Sequence, residues 1–368
     1  MGTVVLKDVS KRYERIEALK GVELACEQGE LTVLLGHSGA GKTTLLRLIA
    51  GLETADEGEI LLDGRIVNDD PPRTRAVSMA FESYALYPQL TVFDNMAFSF
   101  RVAAATARPS TEEVRRRVQD MADLLEIGHL LDRLPRQLSG GQRQRVALGR
   151  TLVRDATVHL LDEPIAHLDA KLRHQLRGGL KHLQRNRRAT TIWTTPDQLE
   201  AMSIADRIAV FNHGVLEEVG SPTDLYERPK NKYIARSLGE PPMNIFDANL
   251  GRADGGWALE VGGVSLPISP EAARPLAGWN GNNRVSVGIR PSDITIHTEP
   301  PTGASLEAEV IVLEPLGQYK VVAVRSQGEE LKIKTGKGVH AEPGSRAWLA
   351  PDPGCYYFFN PLTGESLG

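Results

Sequence analysis

An α/β fold followed by a separate all-β domain is the architecture this sequence predicts, and three observations predict it. A glycine-rich loop, Gly36-His37-Ser38-Gly39-Ala40-Gly41-Lys42-Thr43-Thr44, joins the β-branched run Leu31-Thr32-Val33-Leu34-Leu35 to the helical run Thr44-Leu45-Leu46-Arg47-Leu48-Ile49-Ala50. Strand-like and helical patterns then alternate across residues 30–220, as in a mostly parallel sheet covered on both faces. Near Ser237-Leu238-Gly239-Glu240-Pro241-Pro242 the composition shifts to short strands at regular spacing with Gly, Pro and Asn turns. A chain of 368 residues has room for two or three domains, each able to bury a core.

Taken in order, residues 3–35 alternate short β-rich runs with turns such as Glu27-Gln28-Gly29-Glu30, which predicts a small antiparallel sheet. Tyr13 lies in its first loop, where an aromatic either stacks on a planar base or packs on the rim. Residues 58–64 and 76–81 read as strands. The segment Glu82-Ser83-Tyr84-Ala85-Leu86-Tyr87-Pro88-Gln89-Leu90, mixed in polarity and broken by proline, reads as an exposed loop whose aromatics want a partner. From Thr91 to Leu134 the pattern is helical, with a cap at Ser110 and one apolar face of Val114, Val118, Met121, Leu124 and Leu125. Leu138-Ser139-Gly140-Gly141-Gln142 opens another helix. Residues 157–161 form a buried-type strand ending in Asp162-Glu163-Pro164, and residues 189–195 form a further strand before Pro196-Asp197-Gln198. The turn Asn212-His213-Gly214 closes a hairpin. In the second domain strands are expected at 257–261, 284–289, 307–312 and 320–324, with a small barrel as the result and no catalytic cluster.

The balance of charges excludes little but weakens one class. A net charge of −4 carries no basic footprint for nucleic acid, and runs such as Arg115-Arg116-Arg117 or residues 185–188 read as solvated helix faces. Two distant cysteines, Cys26 and Cys355, make no disulfide framework or metal spacing, which fits a reducing compartment. No apolar window of about 18 residues occurs, so the expectation is a cytosolic chain that does not itself span a membrane.

The loop at residues 36–44 fits G-x-x-x-x-G-K-[ST], the pattern in which backbone N–H groups and a helix N-terminus cradle phosphate oxygens. The alternative is a plain glycine-rich turn; the strand-loop-helix context favours the phosphate loop. Lys42 is then placed at β- and γ-phosphates, and the Thr43 hydroxyl at Mg²⁺. Ser139 with Gly140 and Gly141 at a helix start is a second anion site. Carboxylates at the carboxyl end of a buried strand lie where such folds place ligands; Asp162 suits Mg²⁺ through water, and Glu163 suits polarising an attacking water. His159, within that strand, reads as a packed core residue.

With these motifs in order, the chain resembles the ATP-binding subunits of ABC transporters. Residues 1–236 correspond to the ATP-binding domain, with a helical subdomain at about 88–155, and residues 237–368 to an OB-like, TOBE-type regulatory or dimerisation domain. Tyr84-Ala85-Leu86-Tyr87-Pro88, Pro222-Thr223-Asp224-Leu225-Tyr226, Pro241-Pro242-Met243-Asn244 and Gly288-Ile289-Arg290-Pro291 resemble the subfamily of the maltose-importer ATPase, which serves sugar, polyol and glycerol-phosphate importers. The resemblance implies a head-to-tail dimer with a second ATP-binding subunit. Each ATP then lies between the phosphate loop of one chain, residues 36–44 with Asp162 and Glu163, and Ser139, Gly140, Gly141 and Gln142 of the other, with Tyr13 against adenine. It also implies two transmembrane permease subunits engaged through residues 82–90, a periplasmic or lipid-anchored solute-binding protein reached through them, and a peripheral place on the cytoplasmic face of the inner membrane.

Three positions depart from the family pattern. Glu82 stands where a glutamine senses Mg²⁺ and water, and its carboxylate is expected to join Thr43 and Asp162 at the metal; Pro196 stands where a histidine contacts the γ-phosphate, and Ala166-His167 where a serine precedes the Leu-Asp pair. Proline has neither a side-chain donor nor a backbone N–H, so Pro196 cannot do the histidine's work, and His167 is too displaced in sequence to be assumed a substitute. Binding residues are whole while water-positioning ones are lost. The expectation is therefore an importer ATPase subunit with an impaired site of its own, paired with a different, competent subunit. The alternatives are a fully active homodimeric importer ATPase and, disfavoured by the acidic balance, a soluble ATPase acting on nucleic acid or a phosphate-loop kinase.

Overall fold

The computed structural model describes residues 2–81, 83–102, 109–253, 256–279 and 283–368, and they divide into two compact units, Met1–Pro222 and Thr223–Gly368. The sequence boundary expected at 236/237 falls after two short helices that the structure groups with the second unit.

The first unit is built on two sheets. β1 (Val4–Tyr13) and β2 (Ile16–Cys26) form an antiparallel hairpin, and β4 (Glu57–Leu62) and β5 (Arg65–Ile66) extend it in the order β2-β1-β4-β5. The second sheet runs β10-β9-β3-β8-β7-β6, from β3 (Leu31–Leu35), β6 (Val77–Ala80), β7 (Val158–Asp162), β8 (Thr190–Thr195), β9 (Arg207–Asn212) and β10 (Val215–Gly220). Every pairing in it is parallel except β10 with β9. All five residues of β3, all five of β7 and all six of β8 are buried, as strands covered on both faces must be.

Register places the site. Leu34 pairs with Thr194 and Thr194 with Asp162, so the chain leaves β3, β7 and β8 at one carboxyl edge. From that edge α1 (Lys42–Ala50) starts directly after the glycine-rich loop. Its far end is held by Arg75, a 2% exposed guanidinium that donates to the carbonyls of Leu48 (2.7 Å) and Ile49 (2.9 Å), where positive charge complements the helix dipole.

The helical stretch expected from Thr91 to Leu134 is two helices, α2 (Val92–Val102) and α3 (Thr111–Leu124), followed by single turns at Gly128–Leu130 and Pro135–Gln137. Ser110 caps α3, accepting from the Glu113 N–H, and Val118, Met121 and Leu125 are buried. Gly149 lets α4 (Gly140–Leu152) approach closely, since a Cβ there would lie 2.9 Å from both Leu125 and Met96. α5 (Ala170–Arg187) buries the stripe Leu172, Leu176, Leu180 and Gln184, and α6 (Gln198–Ile204) follows β8.

The second unit opens with α7 (Pro222–Glu227), at the boundary, and α8 (Lys232–Ser237). Two five-stranded antiparallel sheets follow. One has the order β13-β12-β11-β14-β20, from β11 (Asn244–Ala253), β12 (Gly256–Val261), β13 (Val264–Pro267), β14 (Arg284–Ile289) and β20 (Tyr356–Phe359). The other runs β15-β19-β16-β17-β18, from β15 (Ile294–His297), β16 (Leu306–Pro315), β17 (Lys320–Ser326), β18 (Glu329–Thr335) and β19 (Arg346–Pro351). Phe246, Leu259, Val287, Val310, Val322 and Ile333 share one core between them. Arg290 is 2% exposed in this unit and donates to the carbonyls of Tyr226, Ala235 and Leu238.

Candidate active site

A cavity of about 500 Å³ opens at the carboxyl edge of the parallel sheet, lined by Ser38, Gly39, Gly41, Lys42, Thr43 and Thr44, by Glu163 and Pro196, and by Ile16, Glu17, Ala18, Lys20 and His213. The loop around it has a backbone that side chains would prevent. Gly41 has φ +101° and a Cβ would fall 2.5 Å from the Ala18 carbonyl, while a Cβ on Gly36 would fall 2.5 Å from the Phe211 carbonyl. Ala40, with no exposure, anchors the loop in the core.

Lys42 is 4% exposed, and its Nζ donates to the carbonyls of Gly36 (2.7 Å) and His37 (3.0 Å). A buried ammonium held by main-chain dipoles beside an open cavity is poised for an anion. The Thr43 hydroxyl donates to Asp162 Oδ1 at 3.0 Å, and Thr194 Oγ1 donates to the same oxygen at 2.7 Å. These hard oxygens meet at the mouth of the loop and suit Mg²⁺, which takes few protein ligands. The N–H of Glu163 donates to Thr194 Oγ1 at 3.0 Å, and Gln144 Nε2 donates to the Glu163 carbonyl at 3.0 Å. Glu163 has φ +44°. The residues present thus fit a nucleoside triphosphate with its metal.

Pro196 lies on the cavity wall, and Asp197 beside it caps α6 by accepting from the N–H groups of Leu199 and Glu200. Glu82 is outside the described residues. Tyr13, at the end of β1, is 37% exposed with Lys11 Nζ 5.3 Å from its ring centre; it is not among the cavity-lining residues, and Ile16 across the turn is.

Ser139 caps α4 with a reciprocal pair: its hydroxyl accepts from the Gln142 N–H (3.3 Å) and its own N–H donates to Gln142 Oε1 (2.9 Å). None of Ser139, Gly140, Gly141 and Gln142 lines the cavity, so one chain does not bring its two anion sites together. His167 donates its N–H to Gln144 Oε1 at 3.3 Å, and its ring is 3.3 Å from the Tyr84 hydroxyl.

The loop after β6 is constrained. Tyr84 and Ala85 have φ +65° and +43°, the Ala85 carbonyl accepts from Arg150 at 2.7 Å, and Arg150 lies over the Tyr87 ring at 5.4 Å. Tyr87 stacks against Phe98, 4.4 Å between ring centres, beside a groove of about 450 Å³ that also takes in Leu52, Phe81 and Arg154.

Sequence reasoning did not single out Thr194, Gln144, Glu200 or His213. Thr194 and Glu200 look like ordinary strand and helix residues; His213, in a recognised hairpin turn with φ +45°, reaches the cavity and stacks 4.4 Å from His37. Glu200 is 3% exposed, accepts from Trp193 Nε1–H, and is pushed up to about 7, chiefly by burial. His159 is buried as expected, and burial lowers it to about 4.

Residues 19–166 match the family described as ABC transporter, residues 239–294 the MalK OB fold domain and residues 287–359 the TOBE domain. The chain is 43% identical, over 368 residues and the full length of both chains, to the sn-glycerol-3-phosphate import ATP-binding protein UgpC of Cereibacter sphaeroides. It is 41% identical over 376 residues, 100% of this chain and 96% of the other, to the xylose/arabinose import ATP-binding protein XacK of Haloferax volcanii. A bacterial ABC transporter cassette solved as a dimer superposes with a TM-score of 0.56 at 31% identity, covering 60% of this chain and 98% of that one. An ATP-binding cassette in a post-hydrolysis state with ADP and Pi gives 0.55 at 31% identity, with the same coverage. With a phosphate loop, strand-end carboxylates and OB and TOBE regions in the order of these relatives, the chain belongs to the ATP-binding subunits of ABC transporters and is an ABC-type ATPase.

Proposed function

We propose that this chain is the ATP-binding subunit of an importer for a carbohydrate or polyol-type solute: a sugar, glycerol or glycerol phosphate. The observation that carries the reading is the convergence of Lys42, Thr43 and Glu163 on one cavity, with Asp162 buried behind it and accepting from Thr43, in a chain that matches import ATP-binding proteins along its whole length. The subunit sits peripherally at the cytoplasmic face of the membrane; among the described residues no helix is long and apolar enough to cross it. Two permease subunits dock against the groove beside Tyr87 and Phe98, whose half-exposed aromatics supply the contact, and a solute-binding protein acts through them.

Within the site, the loop N–H groups and the Lys42 ammonium would hold the β- and γ-phosphates, and Thr43 with Asp162 would hold Mg²⁺. Mg²⁺, when bound, supplies positive charge where phosphate oxygens gain negative charge. Glu163 orients and polarises the attacking water. Pro196 gives no donor at the point where a γ-phosphate partner is needed, so water and carboxylate are less well held, which lowers the rate by orders of magnitude while binding survives. The site therefore binds ATP and turns it over slowly, and Ser139, Gly140, Gly141 and Gln142 complete a competent site on a second, similar subunit. The second reading, an active homodimer, is supported by the end-to-end match to import ATP-binding proteins.

The test is phosphate release by the purified chain and by Pro196→His, with equilibrium binding of a fluorescent ATP analogue. Expected are tight binding by both, turnover well below one per second for the native chain, and at least a tenfold (~10-fold) gain for Pro196→His. Homodimers hydrolysing several ATP per second without the substitution would establish the homodimeric reading instead.

A further inference from the structure

We propose that Gln144 is a positioning residue for hydrolysis, fixing the main chain of Glu163 so that its carboxylate is aimed at the water. Gln144 lies on α4, two residues beyond Gln142, and is 4% exposed. Both ends of its amide are used on the loop after β7. Nε2 donates to the Glu163 carbonyl at 3.0 Å, and Oε1 accepts from the His167 N–H at 3.3 Å. A carbonyl only accepts and an N–H only donates, so these partners decide which way the amide points.

Glu163 needs such a clamp. Its φ of +44° is a left-handed conformation that a side chain disfavours, and it persists only where surroundings hold it. On one side its N–H is held by Thr194 Oγ1 at 3.0 Å; on the other its carbonyl accepts from Gln144 Nε2 at 3.0 Å and, within the same loop, from the Ala166 N–H at 3.3 Å, so Gln144 is the tie from that carbonyl to a separate element, α4. Removing the Gln144 tie leaves that carbonyl with only the longer bond from Ala166, inside the loop itself, so the loop loosens from α4 and the carboxylate is less firmly aimed at the water. Lys42 and Thr43 stand on α1, whereas both amide bonds of Gln144 go to the loop after β7, so the Gln144 half of the clamp can be lost with the phosphate-holding helix left in place. Loss of Gln144 therefore lowers the chemical step and leaves nucleotide affinity in place.

The inference rests on the reading of Glu163 as the residue that polarises water, and the experiment separates the two. Single-turnover hydrolysis of radiolabelled ATP, with the full-length chain in excess, is measured in the native and the Pro196→His backgrounds, each with Gln144→Met and Gln144→Glu. Gln144→Met keeps the bulk and removes both hydrogen bonds; the expected result is a rate lower by about ten- to a hundredfold with the affinity for a fluorescent ATP analogue within about twofold. Gln144→Glu donates only when its carboxyl carries a proton, which burial favours, so its rate relative to its parent rises as the pH falls from about 8 to about 6. Dividing by the parent at each pH removes the pH dependence that parent and variant share. A Gln144→Met rate equal to its parent's, an affinity loss as large as the rate loss, or a Gln144→Glu ratio that ignores pH would overturn the assignment. The ratio between the two parents bears on the impaired-site reading alone. A Glu163→Gln parent that hydrolyses as fast as the native chain would instead remove the role of Glu163 on which both rest.

Discussion

Replacing Glu200 by Gln should stabilise the first unit at alkaline pH and do almost nothing in acid. Glu200 is 3% exposed on α6, just past Pro196, and accepts from Trp193 Nε1–H, a bond the amide oxygen of Gln can also accept. Burial, with Asp197 adding to it, outweighs the hydrogen bonds from Trp193 and Thr195 and the attraction of Arg173, and lifts the carboxyl from 4.5 to about 7. Between those values the folded chain keeps the proton and the unfolded chain releases it. Stability therefore falls as the pH rises from 4.5 to about 7, and a gap of about 2.5 pH units corresponds to about 3 kcal/mol. The variant carries no charge to desolvate and escapes that loss. For a unit of this size about 3 kcal/mol is a rise of roughly 6–12 °C in Tm near pH 8, shrinking to a third or less near pH 5. Calorimetry of the full chain reads it, the first unit's transition being the one that ATP moves upward. An equal Tm difference between variant and native chain at both pH values would refute the reasoning.

Three further outcomes are expected. Lys42→Ala should weaken binding of a fluorescent ATP analogue by at least tenfold (~1.4 kcal/mol), and undiminished binding would sink the phosphate-loop assignment. Arg290→Met should destabilise the second unit by about 3 kcal/mol or more, because the carbonyls of Tyr226, Ala235 and Leu238 lose their donor; a urea midpoint of that unit unchanged from the native chain would contradict this. His159, lowered from 6.5 to about 4 first by burial and then by Arg187, has the opposite sign to Glu200: its contribution is full above pH 6.5 and is lost as pH falls toward about 4. The two offset each other in the native chain, so Glu200→Gln should unmask an acid loss of about 2–3 kcal/mol in denaturant titrations, and His159→Leu added to it should remove that loss.

The elements legible in the sequence are those whose causes are local. The phosphate loop needs left-handed glycine at Gly41 and a helix starting at Lys42, and both requirements sit within six residues. The cap at Ser139 closes on Gln142, three residues away, and the β9–β10 turn closes on His213 and Gly214. Strand and helix alternation likewise made the parallel sheet readable. What the tertiary structure alone decided is which distant groups meet. Thr43 reaches Asp162 across 119 positions, Thr194 reaches it across 32, and Gln144 meets Glu163 across 19, all because β3, β7 and β8 end in register at one edge. Burial decided the rest of the chemistry: Glu200 lies on an unremarkable helical pattern, and the desolvation imposed by its burial, against the hydrogen bond from Trp193, is the main cause that raises its carboxyl. In the second unit regular strand spacing announced β structure, but the pairing of β14 with β20, some 70 residues apart, depends on a shared core that no local pattern encodes. Backbone conformation is set by neighbours in sequence, whereas charge state, metal geometry and sheet order are set by neighbours in space.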